Sequence, residues 1–293
     1  MTTAKKDITL GESKRDICSS LLPKRTRGLN FFSIDYNLQR LLTRYNPVLI
    51  QNEGKFLEDF GKFCSTELDE QAEYTDRIHP PVLRQEVVDF IRPDERRGNV
   101  YLNERYKDAQ QELYRRELLA KCFTSEKKES HMLPFVGQYL ISHSDVSTGC
   151  PFAMTHPVAY ILAHYAPKVL REKYLPELLR TDGATAIGGT WATEKHSGSD
   201  IGNTITTVTK HSYDYYRLYG HNWFTSAIGF KKFLTIKTAR PDGAPGGSKG
   251  LGLYLVPSHI DDDWSVPNEY NVTHLKEKLG TRGLPTGEVT LDG

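Results

Sequence analysis

The chain has 293 residues, enough for one large or two ordinary domains whose core folds without disulfides or metals. Lys and Arg number 38 against 37 Asp and Glu, a net charge of +1, so no global field recruits nucleic acid or an anionic membrane. Cys18, Cys64, Cys122 and Cys150 show no Cys-x-x-Cys spacing, which argues against a zinc site and fits thiols in a reducing compartment.

In chain order, residues 1–30 read as a flexible tail. Lys5, Lys6, Lys14, Arg15, Lys24, Arg25 and Arg27 are interrupted by Asp7, Glu12 and Asp16, unlike an acid-poor mitochondrial presequence. No window approaches the ~18 apolar residues that span a bilayer. An intracellular protein is expected, with cytoplasm and mitochondrion both open. From residue 31 to 183 the apolar residues recur at helical spacing, as in Leu38, Leu41, Leu42 and Tyr45, or Val169, Leu170, Tyr174, Leu178 and Leu179. Pro47, Pro80, Pro81, Pro93, Pro134, Pro151 and Pro157 punctuate this half into helices of ordinary length. Asp182-Gly183 marks the turn out.

From 184 to 293 the period becomes two, with strands expected at residues 203–210, 215–219, 232–238, 251–256 and 288–291. The fold class is therefore α+β: an N-terminal all-α domain (31–183) followed by an antiparallel β-barrel or sandwich (184–293). The Gly-rich stretch from Asp242 to Gly250 fits a long hairpin loop, because it lacks the Gly-Lys-Ser ending of a phosphate cradle.

The chemistry concentrates in Thr193-Glu194-Lys195-His196-Ser197-Gly198-Ser199-Asp200 and in Trp223-Phe224-Thr225. Hydroxyls at Thr193 and Ser199 can hydrogen-bond a polar ring edge and a phosphate, and the Trp223 indole can cover a ring face. Taken alone, Thr193, Ser199 and Asp200 also suit a turn leaving a strand. Other chemistries fare worse. No histidine pair has metal-ligand spacing with a flanking carboxylate, and neither Ser197 nor Ser199 sits in a Gly-x-Ser-x-Gly elbow. Asp261-Asp262-Asp263 reads as a solvated loop, and the aromatic and basic residues from Tyr213 to Arg217 read as strand alternation.

Three motifs in order, Thr193 to Asp200, Tyr216-Arg217-Leu218-Tyr219-Gly220 leading to Trp223-Phe224-Thr225, and Lys278-Leu279-Gly280-Thr281-Arg282, resemble those of the acyl-CoA dehydrogenase family. Lys195 stands where most members carry Pro, Asn222 precedes the Trp, and three steps rather than four separate Gly220 from Trp223. With Cys150-Pro151-Phe152-Ala153-Met154-Thr155, these departures resemble the AidB-like branch. The resemblance implies FAD as cofactor, held by Thr190, Trp191, Ala192, Thr193, Ser199, Trp223, Phe224 and Thr225. In it Thr193 bonds the flavin ring system, Ser199 lies near the pyrophosphate and the thioester substrate, Trp223 packs on the isoalloxazine, and Thr225 approaches N5 and O4.

The implied activity is α,β-dehydrogenation of a fatty acyl-CoA, with a homo-oligomer as the full-length form. The family's catalytic glutamate belongs to a C-terminal helical domain beyond the position of Gly293. No catalytic residue is therefore assigned, Glu194 is read as structural, and weak FAD retention without turnover is expected of this chain. A fatty acid or acyl-CoA binding protein without turnover is the alternative reading. An AidB-like DNA-alkylation-response flavoprotein ranks third, because the relevant nucleic-acid surface in that branch belongs largely to the C-terminal domain.

Overall fold

A computed structural model describes residues 27–87, 96–126, 128–212 and 215–293. Most of the expected tail, Cys18, Pro93 and Tyr213 lie outside the described residues. The first half is helical: α1 (Phe31–Ile34), α2 (Tyr36–Tyr45), α3 (Pro47–Phe63), α4 (Asp69–Arg77), α5 (Glu104–Arg115), α6 (Lys121–Thr124), α7 (Leu133–Ser142), α8 (Val146–His164) and α9 (Lys168–Leu178). Polar side chains start these helices by accepting orphan amide protons. Asp35 accepts from the Leu38 amide at 2.8 Å, Asn103 from Tyr106 at 2.9 Å and Asp145 from Ser147 at 2.8 Å.

Pro47 and Pro134 stand in the first turns of α3 and α7, where proline lacks only a donor that would be orphaned anyway. Pro151 and Pro157, expected to break the chain, lie inside α8. The reason is visible at the first of them. Pro151 cannot donate to the carbonyl of Ser147, and the buried Tyr106 hydroxyl donates to that carbonyl at 2.9 Å instead.

The expected α+β order holds, with two corrections. The helical half also carries an antiparallel hairpin, β1 (Val82–Val87) and β2 (Arg96–Tyr101). It leans on the sheet of the second half, where Gly98 approaches the Val272 carbonyl too closely for a Cβ and its amide donates to Asn271 Oδ1 at 2.9 Å. The second half forms a seven-stranded sheet from β3 (Ile187–Trp191), β4 (Thr207–Lys210), β5 (Tyr216–Ser226), β6 (Phe233–Pro241), β7 (Gly252–Pro257), β8 (Tyr270–Leu275) and β9 (Thr286–Asp292). Its order is β3-β6-β4-β5-β9-β8, with β7 on β6.

That sheet is mixed rather than wholly antiparallel, because β3 and β4 both run parallel to β6. The chain between β3 and β6 makes a crossover through β4 and β5, and only such a long connection lets two strands pair in the same direction. The Asp242 to Gly250 stretch does join the antiparallel pair β6 and β7.

One core joins the halves: Phe60, Leu113 and Phe152 of the helices belong to the same buried cluster as Ile187, Trp191, Phe233 and Val289 of the sheet. Thr155 of α8 fixes β3 directly. Its hydroxyl accepts from the Gly188 amide at 2.9 Å and meets the Tyr114 hydroxyl at 2.8 Å. At Gly188 an added Cβ would lie 2.6 Å from the Thr155 Cα, so the glycine is what allows strand and helix to touch.

Candidate functional site

β3 carries Thr190, which is exposed, and Trp191, which is wholly buried against Phe233 and edge-on to Tyr270 with ring centroids 5.3 Å apart. The Trp191 Nε1 has no partner among the described residues. A ligand on this strand would therefore meet the Thr190 side chain and the main chain of Trp191. Beyond it, Ala192 and Thr193 are half-buried, and the chain folds back in a tight turn closed by paired main-chain bonds between Glu194 and Ser197 of 2.7 and 3.2 Å.

The turn is anchored from below by Glu194. Its carboxylate accepts from the Ile205 amide at 2.8 Å, from the Thr206 amide at 3.2 Å and from the Thr206 hydroxyl, and pairs with Lys237 Nζ at 2.9 Å. Neither side chain of the pair is exposed. Burial alone would raise the Glu194 carboxyl, but the Thr206 hydroxyl, the Ile205 amide and the Lys237 ammonium hold it below the ordinary glutamate range. The structural role expected for Glu194 agrees with this geometry.

On the neighbouring strand the register of β5 against β9 slips between Asn222 and Thr225. A bulge of this kind leaves its residues outside the strict in-and-out alternation. It turns Trp223 and Phe224 out of the sheet, half-buried and exposed respectively. The Trp223 amide donates to the Thr193 carbonyl at 2.8 Å, so two motifs thirty positions apart meet at one point. Ser199 is exposed at the far side of the Glu194 turn, next to Asp200, whose carboxylate caps the short turn that follows. No hydrogen bond among the described residues ties Ser199 to Trp223.

Thr225 is buried, and its hydroxyl donates to the Gly287 carbonyl at 2.6 Å. In this rotamer its proton is committed to the sheet, and a ring beside it would meet the oxygen lone pairs. Lys278 of the third motif donates to the Leu284 carbonyl and, at 2.8 Å, to Thr286 Oγ1. Leu279 is 98% exposed, and the Arg282 amide donates to Asp76 at the end of α4 at 3.1 Å.

Lys276 was not among the expected site residues. Its Nζ stands 3.4 Å from the Trp223 ring centroid and 2.7 Å from Glu288 Oε1, while Lys195 Nζ lies 5.7 Å from the same ring. A charged residue at the end of a strand gives no pattern by which the sequence alone could mark it. Around Trp223 thus stand the exposed Phe224, two ammonium groups and the carbonyl of Thr193. These groups suit a flat, polar-rimmed, anionic ligand. A separate cavity of about 400 Å³ lies between β2 and β8, lined among others by Arg97, Tyr101, Lys231, His259 and Tyr270; it contains none of the expected flavin residues.

The family model for the adaptive response protein AidB N-terminal domain matches residues 22–182. Acyl-CoA dehydrogenase family member 11 of Caenorhabditis elegans is 37% identical over 162 residues, 53% of this chain and 26% of that protein. The putative acyl-CoA dehydrogenase AidB of Escherichia coli is 30% identical over 158 residues, 50% of this chain and 27% of that one. Among solved structures, Caenorhabditis elegans ACDH-11 in complex with C11-CoA superposes with a TM-score of 0.77 at 26% identity, over 90% of this chain and 45% of that chain. The apo-form of Bd2924 gives 0.76 at 29%, over 90% and 52%. The chain spans about half or less of the length of these relatives, and it belongs to the acyl-CoA dehydrogenase family as an AidB-like member.

Proposed function

We propose that this chain holds FAD against the wall formed by Thr190, Thr193, Trp223 and Thr225 and presents it to a fatty acyl-CoA. One observation carries the reading: the bulge in β5 delivers the Trp223 amide to the Thr193 carbonyl at 2.8 Å, joining a half-buried indole to a polar turn. Bound there, the flavin would supply hydride acceptance in α,β-dehydrogenation. The protein's part is placement. Trp223 offers a ring surface, Thr193 offers a hydrogen-bonding rim, and Lys195 and Lys276 place positive charge where an electron-rich ring or a phosphate gains from it.

A second reading, binding of a fatty acid or acyl-CoA without turnover, is favoured by a different observation. The two carboxylates nearest Trp223 and Thr193, Glu194 and Glu288, are both paired with lysines, at 2.9 and 2.7 Å, so neither is free to take an α-proton, and Asp200 of the same turn is spent on capping the turn that follows. The test is titration of the 293-residue chain with FAD, followed by flavin fluorescence, and then assay with an acyl-CoA and an artificial electron acceptor. Saturable FAD binding weakened about threefold to tenfold by Trp223→Ala, the worth of one aromatic contact, is the expected result. Binding indifferent to Trp223 would overturn the first reading. Acyl-CoA binding without FAD uptake would select the second.

A further inference from the structure

Asn222 is wholly enclosed at the point where β5 loses its register with β9. It pairs with Val289, and the next paired residue, Thr225, faces Gly287, so β5 takes three steps where β9 takes two. One extra residue is inserted. Strict alternation would put Asn222 and Thr225 on opposite faces of the sheet, yet both are buried, while Trp223 is half-buried and Phe224 exposed. The bulge is what allows this arrangement.

The side chain of Asn222 spans the bulge. Its Nδ2 donates to the Phe224 carbonyl, two residues on, at 2.8 Å, and its Oδ1 lies 3.5 Å from the Lys237 ammonium on β6. The neighbours settle which way the amide points: an ammonium only donates and a carbonyl only accepts, so the oxygen must face Lys237 and the nitrogen must face Phe224. The contact to Lys237 is long, and it acts through the sign of the charge rather than as a close bond. Lys237 is itself fixed by Glu194 at 2.9 Å, and the Lys195 amide, next in the chain, donates to His221 Nε2 at 2.8 Å. A leucine of similar size would serve neither neighbour.

We propose that Asn222 is a positioning residue for Trp223: its amide clasps the β5 bulge and ties it, through Lys237 and Glu194, to the Thr193 turn. The idea rests on the reading that Trp223 faces the flavin. Asn222 is enclosed, so it acts through Trp223 rather than on a ligand. Without the clasp β5 can relax toward a regular register, and alternation then draws Trp223 or Phe224 inward. In either case the indole leaves its place.

The experiment replaces Asn222 with Leu in the full chain and reads the Trp223 signal, defined as the difference between each protein and the same protein carrying Trp223→Phe. Leu57→Ala, a change in the buried core on α3, is the control for lost stability alone. Trp223 emission and its quenching by iodide should change in Asn222→Leu and stay native in Leu57→Ala, even where the urea midpoint falls in both. FAD binding should weaken about threefold to tenfold in Asn222→Leu, as for Trp223→Ala, and combining the two substitutions should add little, because both act on one contact. A native Trp223 signal in Asn222→Leu, or losses of FAD affinity that add in the double variant, overturns the proposal. Asn222→Ala, which adds no bulk, repeats the test where circular dichroism shows the leucine variant unfolded. Loss of the fold in both also overturns it, since a positioning residue moves the wall and not the core. A changed Trp223 signal in a chain that takes up no FAD keeps Asn222 as the clasp and counts against the flavin reading instead.

Discussion

The two walls around Trp223 are built on opposite principles. On one side, Glu194 and Lys237 are fully enclosed, 2.9 Å apart, and the carboxylate is further bonded by Ile205 and Thr206. On the other, Lys276 is half-buried, shared between the Glu288 carboxylate and the Trp223 ring. An enclosed charge has no alternative partner once its own is removed, whereas a partly buried one still reaches water. The first wall therefore sets where the Thr193 turn sits. The second can change when a ligand arrives.

The comparison is broken most severely by Lys237→Ala. It strands a buried carboxylate, and the loss should be about 3–5 kcal/mol, read as a lowered urea midpoint. If the midpoint moves as little as for an exposed lysine, the pair is not what holds the turn. Replacing both partners with apolar residues of similar volume, Glu194→Met with Lys237→Met, should restore much of the stability, because no charge is then left unpaired.

Next in size is Gly188→Ala. The new methyl would meet the Thr155 backbone at 2.6 Å, and overpacking of this kind costs about 1–3 kcal/mol. Because β3 feeds directly into Thr193, this variant should also weaken FAD binding without touching any residue of the wall. Unchanged stability would mean that β3 and α8 can separate freely, and the shared core would lose its role in positioning the site.

Acid provides a probe of the same wall. The Glu194 carboxyl is held below its ordinary value in the folded protein, so its contribution is present above the unfolded carboxylate range near about 4.3 and is lost as pH falls through the folded value. The native chain should lose stability in that window more steeply than Glu194→Gln, which is less stable at neutral pH but has no carboxylate there to protonate. Parallel profiles for the two proteins would place the acid sensitivity elsewhere.

Much of this was legible before any coordinates. The switch of period near residue 184 announced helices followed by strands, and Asp242 to Gly250 read as the loop it is. What escaped did so for physical reasons. β3 begins Ile187-Gly188-Gly189, too rich in glycine to look like a strand, and the glycines are there because α8 and Phe233 press on them. Pro151 looked like a break because nothing local shows that Tyr106 will serve the carbonyl it frees. At the site, Thr193 and Trp223 were read as sharing one wall, and the structure places them 2.8 Å apart through the main chain. The bulge that turns Trp223 out of the sheet and the arrival of Lys276 over its ring are tertiary facts, set by pairing with β9 rather than by residues next in sequence.

The smallest effect on stability, and the sharpest test of the second wall, is expected from Lys276→Ala. The Lys276–Glu288 pair keeps some contact with water, at 13% and 24% exposure, so its loss should cost on the order of 1 kcal/mol, well below that of the enclosed pair, and the urea midpoint should move only modestly. The local signal should be larger than the global one. Removing an ammonium 3.4 Å from the indole centroid changes the field on Trp223, so its fluorescence should shift while that of Trp191 and Trp264, both buried elsewhere, stays as it was. FAD affinity then separates two roles for the lysine. If Lys276 stays over the indole and competes with the flavin for that face, the variant binds FAD more tightly. If it swings aside on its bond to Glu288 and supports the electron-rich ring, the variant binds more weakly, and reduced flavin suffers more than oxidised flavin, because the charge it would offset is larger. A large loss of stability would contradict both roles and make Lys276 part of the foundation, like Lys237.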